Sequence, residues 1–400
     1  MPLKTPFHSR TEPICESQEW RNWSGYLSAV TYQPHHEAEY YSIRNSAALI
    51  DVSPLYKYDI SGPQAELLVD RIMTRDISQC PIGRVVYSPW CDENGKVIDD
   101  GTISRLDQSH FRITAADPNL RWFQDCGFGL EAEVTDVSDQ IAALALQGPN
   151  SAAILKRLTP TPEIISNLKY YQLSKTEIDG IPQVVTRTGF TGDLGYELWV
   201  DPGQGPALWD ALMDTGREYG LQPCGLAALD IARIEAGLLL IGVDYISSQS
   251  AVIETQKSSP FEIGLGWAVK FGDAAFIGRR ALEIEQTSGS AWKMVGFEID
   301  WPSLELEFNK VGLPPQVSGR AVRDPLPVYL NGRQIGQATS ITFSPILKKY
   351  LAMGNIESDL AQSGRQVQIE VTVEYSRETV RATVVDLPFF NPPRKRDLPV

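Results

Sequence analysis

Near residue 291 the sequence changes texture, and this change constrains the fold more than any other feature. Beyond it run short alternating segments, MVGFEID, PVYL, QIGQATS, YLAMGNIE, VQIEVTV and RATVVDL, separated by Gly, Pro, Asn and Ser. Alternation with period two and frequent turn residues predict antiparallel strands closing into a sandwich or barrel. A C-terminal domain over 291–400 follows.

Ahead of it, strand and helix patterns interleave. YKYDIS (56–61) reads as a strand stopped by Gly62-Pro63, and PQAELLVDRIM as a helix with Leu67, Leu68, Ile72 and Met73 on one face. Val85–Trp90 and Val97–Leu106 flank the turn DENG, a hairpin signal, and HFRITAA continues the sheet before Asp117 caps a helix over 118–127. QIAALALQG is a buried strand; NSAAILKRL, 205–220 and 225–237 are helical. Without strict β-α-β-α order, this is an α+β chain. Its 400 residues call for more than one domain. The polar stretch 243–260 reads as a long connecting loop, and the closing NPPRKRDLP as a solvated basic end with no specific task.

A net charge of -14, from 36 Lys and Arg against 50 Asp and Glu, opposes attraction to nucleic acid and to anionic membranes. No apolar run approaches membrane-spanning length and the start lacks a signal-peptide core, so a cytoplasmic protein is expected. Five scattered cysteines read as reduced thiols, and four histidines without zinc spacing predict no metal site. Carboxylates are left to carry acid-base chemistry. The glycine clusters GFTGDLG and GFG lack the context of phosphate loops, and no Gly-x-Ser-x-Gly elbow is present.

Five segments form a distinctive set: NGKVIDD (94–100), RTGFTGDLGYE (187–197), CGLAALDIARIEAG (224–237), SPFEIGLGW (259–267) with FIGRRAL, and ATSITFSPILKKYLAMG (338–354). Together they resemble the glycine-cleavage T-protein family, over roughly residues 37–390. The resemblance implies a three-domain cloverleaf around a central folate channel, with two interwoven α+β domains and a C-terminal antiparallel β-barrel of jelly-roll type. On that plan 1–60 with 147–240 form the first domain, 61–146 with 241–290 a second, ferredoxin-like one, and 291–400 the barrel.

The resemblance also assigns roles. Asp99 matches the family carboxylate beside the reactive nitrogens of tetrahydrofolate and is the catalytic candidate. Glu197 matches the pterin-binding glutamate, Arg233 an arginine for the folate-tail carboxylate, and Trp267 the folate-contacting aromatic, with Leu55 beside them. Ser53-Pro54-Leu55 stands where family aminomethyltransferases carry Ser-His-Met, Ile241 where they carry Tyr, and Leu229 where they carry Arg. SPWCDENG resembles the sulfonium-demethylase branch, which makes Tyr87, Trp90 and Tyr245 candidate donor contacts. The implied activity is methyl transfer from a small S-, O- or N-methylated metabolite to N5 of tetrahydrofolate. Two alternatives are an aminomethyltransferase working on a lipoyl carrier protein and a non-catalytic folate-binding protein; the K-G-C-Y-x-G-Q-E motif of the non-catalytic branch is absent.

Overall fold

In the computed structural model of this chain, residues 2–272 and 275–397 are described. A six-stranded sheet holds, in order, Leu173–Ile178, Ile181–Thr186, Gly195–Val200, Ala142–Gln147, Ala47–Asp51 and Leu221–Pro223. All pairings are antiparallel except that of Leu221–Pro223 with Ala47–Asp51. Every residue of Ala142–Gln147 is buried, because both faces of this strand are covered. Leu144 and Leu146 meet Leu155, Leu208 and Leu212 on one side. Ala143 and Ala145 face the opposite side, where their small size lets helix Leu226–Glu235 approach through Ala228 and Ala232.

The second sheet is five-stranded and antiparallel, in the order Val85–Cys91, Val97–Asp107, His110–Ala115, Tyr56–Ser61, Glu133–Asp136. With helices Ala65–Ile72 and Leu120–Cys126 it makes the β-α-β-β-α-β arrangement of ferredoxin-like folds, and Val85–Cys91 is added at one edge. Tyr56–Ser61 belongs to this sheet, pairing with His110–Ala115 and Glu133–Asp136, so the crossing between sheets falls after Asp51 and not at residue 60. Tyr58 explains the placement: its ring packs edge-on against Phe123 at 5.3 Å. The sheets meet edge to edge where Val85 N donates to Tyr171 O and Leu173 N to Gly83 O, each 2.9 Å.

Six antiparallel strands close the C-terminal barrel in the order Trp292–Ile299, Lys349–Glu357, Arg333–Ser344, Leu326–Leu330, Gln366–Val373, Ser376–Val385. A helix, Trp301–Asn309, interrupts the alternating texture and was not anticipated. Asp300 caps it by accepting from Ser303 N at 3.2 Å, Pro302 fits its first turn, and Leu304 and Phe308 join the barrel core.

Some local expectations shift by a turn. Leu67 is half exposed, since helix Ala65–Ile72 buries Ala65, Leu68, Val69 and Ile72 at the three-and-four spacing. Asn119, not Asp117, occupies the N-cap of Leu120–Cys126. The basic end is also engaged: Arg394 pairs with buried Asp193 at 2.6 Å, and Arg187 donates to Arg396 O at 2.8 Å.

Candidate active site

Two neighbouring carboxylates on strand Val97–Asp107, second from the edge of the second sheet, form the centre of the site. Gly95 turns the hairpin with φ of +73°, and the register sets Asp99 opposite Trp90 and Asp100 opposite Pro89. Asp99 is fully buried. Its Oδ1 accepts from Asp100 N at 2.8 Å; its Oδ2 accepts from Asp117 N at 3.1 Å and from Asn119 Nδ2 at 2.9 Å. Asn119 is itself fixed, accepting from Trp90 Nε1 at 3.0 Å and donating its backbone N–H to Tyr58 Oη at 2.9 Å.

Asp100 accepts from the hydroxyls of Tyr87 and Tyr245. Burial, and then the charge of Asp100, hold the Asp99 pKa well above the usual carboxylate range. Burial raises Asp100 too, while the two tyrosine hydroxyls oppose the rise. Both carboxylates are thus pushed toward the protonated form, Asp99 more strongly than the tyrosine-clamped Asp100.

An aromatic platform leads from this pair to solvent. Trp267 is 54% exposed and stacks on Tyr87 at 6.0 Å with 17° between the rings, and the Arg75 guanidinium lies 5.7 Å from the Trp267 ring centre. Glu197 lies across the seam, on strand Gly195–Val200, where its Oε2 accepts from Thr188 Oγ1 at 2.8 Å. Burial pushes its pKa up. Burial, and then Tyr170, raise the pKa of the Tyr171 hydroxyl; burial, and then Asp100, raise that of Tyr87. Lys57, pulled down to about 8 by burial, donates Nζ to Ser53 O and Leu55 O at 2.8 Å each. The side chain of Leu55 packs against the alanine-lined face of the first sheet.

Two expected residues sit elsewhere. Trp90 is a core side chain whose Nε1 donates to Asn119 Oδ1 and whose ring packs on Phe123 at 5.4 Å, so the structure gives it a supporting place behind Asn119. The Arg233 side chain is 1% exposed and bridges Asp230 at 2.8 Å and Asp244 at 2.6 Å, with Nη2 donating to Ser340 Oγ at 2.8 Å. Asp230 also takes Arg323 at 2.7 Å, and Asp244 takes Thr339 at 2.7 Å. Arg233 therefore joins its helix to the 243–260 stretch and to barrel strand Arg333–Ser344, leaving little of its guanidinium for a folate tail. That stretch also delivers Tyr245 to Asp100. Sequence reasoning missed Asn119, Asp100 and Asp244; only the turn-forming run Asp117-Pro118-Asn119 carried a local signal. Among the described residues no cluster of three or more His, Cys, Asp and Glu could hold a metal ion, and no helix is long and apolar enough to cross a membrane. All five cysteines are buried free thiols.

Two α+β sheets joined edge to edge and a closed barrel, with neighbouring carboxylates on strand Val97–Asp107, define the architecture. Residues 14–273 match the model of the GCVT N-terminal domain and residues 310–391 that of the glycine cleavage T-protein C-terminal barrel domain. The chain belongs to the glycine-cleavage T-protein family, and is an enzyme that transfers one-carbon units with tetrahydrofolate. It is 33% identical to an aminomethyltransferase of Halothermothrix orenii over 96% of this chain and 99% of that one. It is equally 33% identical to a trimethylamine-oxide aldolase of Ruegeria pomeroyi, over 90% of this chain but 43% of the larger protein. The crystal structure of glycine cleavage system aminomethyltransferase T from Bartonella henselae superposes with a TM-score of 0.81 at 25% identity, covering 98% of this chain and 99% of that chain.

Proposed function

We propose that this enzyme moves a methyl group from a small methylated metabolite to N5 of tetrahydrofolate. The observation that carries the proposal is the Asp99–Asp100 pair, clamped by Tyr87 and Tyr245 beneath the exposed Trp267. The residues present fit a reduced pterin. Glu197, held by Thr188, keeps acceptor capacity for the paired N–H donors of a pterin edge, and Trp267 offers an apolar face. Tetrahydrofolate supplies the nucleophilic nitrogen. The carboxylate pair takes a proton from an amine set beside it and steadies positive charge there. Asn119 and the Asp117 N–H keep Asp99 in one orientation.

The donor is read as small because the chain departs from the aminomethyltransferase pattern at Ser53-Pro54-Leu55, Leu229 and Ile241. Tyr87 and Tyr245 border the donor position and Leu55 the folate. The rival reading is aminomethyl transfer from a lipoyl carrier protein, favoured by the full-length likeness to aminomethyltransferases. One assay tests both. Methyl-tetrahydrofolate formed from methylated sulfonium, ammonium or ether compounds without a carrier supports methyl transfer; methylene-tetrahydrofolate formed only with an aminomethylated lipoyl carrier supports the rival.

A further inference from the structure

The glycine cluster GFTGDLG, residues 189–195, folds around one fully buried side chain, that of Gln147. A Cβ at Gly189 would stand 2.1 Å from Gln147 Oε1 and one at Gly195 2.2 Å from it, so only glycine at both positions lets the loop close on the carboxamide. Gln147 Oε1 accepts from Thr191 Oγ1 at 2.7 Å, and its Nε2 donates to Thr188 O at 3.2 Å and to Tyr196 O at 3.3 Å. One amide thus ties the backbone of Thr188 to that of Tyr196, the residue before Glu197.

Thr188 is the residue that holds Glu197. Its hydroxyl has a single proton and gives it to Glu197 Oε2 at 2.8 Å, so Thr186 is the donor in the 2.6 Å contact between the Thr186 and Thr188 hydroxyls. The basic C-terminal end ties down the same loop from outside. Arg394 donates Nε to Asp193 Oδ1 at 2.6 Å and Nη2 to Asp193 Oδ2 and to Arg44 O, each at 2.9 Å. At the start of the loop Arg187 Nη2 donates to Arg396 O at 2.8 Å, and Arg44 Nη1 holds Thr191 O at 2.8 Å. A binding group stays in one orientation when the residues that support it are themselves locked, and here the support is fixed at both ends and in the middle.

We propose that Gln147 is a positioning residue for pterin binding: it fixes Thr188, which orients Glu197, and the C-terminal segment at Arg394 locks the loop that carries Thr188. This rests on the reading of Glu197 as the carboxylate for the pterin edge.

The test titrates tetrahydrofolate into the full chain as wild type, Glu197→Gln, Gln147→Met and Arg394→Met, and into the two double variants that carry Glu197→Gln. Urea unfolding confirms that each is folded; Thr191→Val, which removes only the hydroxyl on the Gln147 carboxamide, stands in for Gln147→Met if that variant does not fold. Gln147→Met is expected to weaken tetrahydrofolate by about tenfold or more, the scale of one hydrogen bond to a charged group, and Arg394→Met by a smaller factor. In the Glu197→Gln background neither substitution should weaken binding further, although each still lowers the urea midpoint, because a residue that acts through Glu197 has nothing left to orient. Equal losses in both backgrounds mean a general structural role and overturn the proposal, as does unchanged binding in Gln147→Met or its stand-in. Unchanged binding in Arg394→Met takes the tail out of the device. Glu197→Gln that binds as wild type does overturns the pterin assignment of Glu197 and the positioning with it, and wild type that binds no tetrahydrofolate overturns the functional reading itself.

Discussion

The hydroxyl of Tyr245 reaches both carboxylates of the buried pair, donating to Asp100 Oδ1 and standing 3.5 Å from Asp99 Oδ1. Tyr245 comes from the stretch between the two-sheet body and the barrel, and its neighbour Asp244 is held by Arg233, Thr339 and Ser340. The position of the hydroxyl over the carboxylates therefore depends on how the barrel docks.

Replacing Asp99 with Asn keeps the shape and removes the titrating group. Transfer is expected to fall by about 10²- to 10⁴-fold, the range for a positioned acid-base group, with tetrahydrofolate still bound. Single-turnover rates and a binding titration on the same variant check this, and an unchanged rate would take Asp99 out of the mechanism.

Tyr245→Phe removes a donor that favours ionised Asp100. The pKa of the pair then rises, so the acid limb of the kcat/KM profile should move to higher pH in the variant. A profile that superposes on wild type from pH 5 to 9 would show that the hydroxyl does not tune the pair.

Stability should also depend on pH through Asp99. Its folded pKa is raised, so between the unfolded value of about 3.9 and the higher folded one the native state binds more protons. The stability from its protonated form is complete below that lower value and is lost as pH rises through the folded pKa. Urea midpoints between pH 4.5 and 8 should fall less steeply with pH in Asp99→Asn than in wild type.

Arg233→Met tests the reassignment of that residue. It leaves buried Asp244 without its cation, a loss of about 3–5 kcal/mol if the pair behaves like other broken buried ion pairs. The urea midpoint should drop sharply, while the tetrahydrofolate dissociation constant of the folded variant stays near wild type. A large change in that constant with intact stability would restore the tail-binding role.

Asn119→Ala strands Trp90 Nε1 and removes one of the donors to Asp99. About 1–3 kcal/mol of stability is at stake for a buried polar group left unpaired. Turnover should fall in the same variant because Asp99 loses its fixed orientation, and crystallography of the variant would show whether the carboxylate has rotated.

Local chemistry was enough to read much of the architecture. The alternating runs after residue 291 form the barrel, Asn94-Gly95 turns the hairpin that carries Asp99, and the alanine-leucine alternation of 142–147 lies between two packed layers. These features depend on neighbours a few residues away, where periodicity and turn preference act directly. The helix Trp301–Asn309 had a local signal in Asp300, Pro302 and Ser303, but the alternating pattern around it hid the cap.

The site was legible as residue types and only partly as a place. Asp99, Glu197, Trp267, Tyr87 and Tyr245 could be named from motifs, but nothing local distinguishes Tyr87, which clamps Asp100, from Trp90 three residues on, which is core. Strand register and the helix packed behind it decide that difference. Arg233 reads from sequence as a ligand arginine, yet Ser340, far along the chain, occupies part of its guanidinium. By itself the sequence determined the family and the α+β-plus-barrel order, because these follow from short-range pattern and residue chemistry. Only the tertiary structure decided which charges are already neutralised, as Arg233 is by Asp230 and Asp244, because a charge is satisfied by whatever lies within a few ångströms, at any distance along the chain.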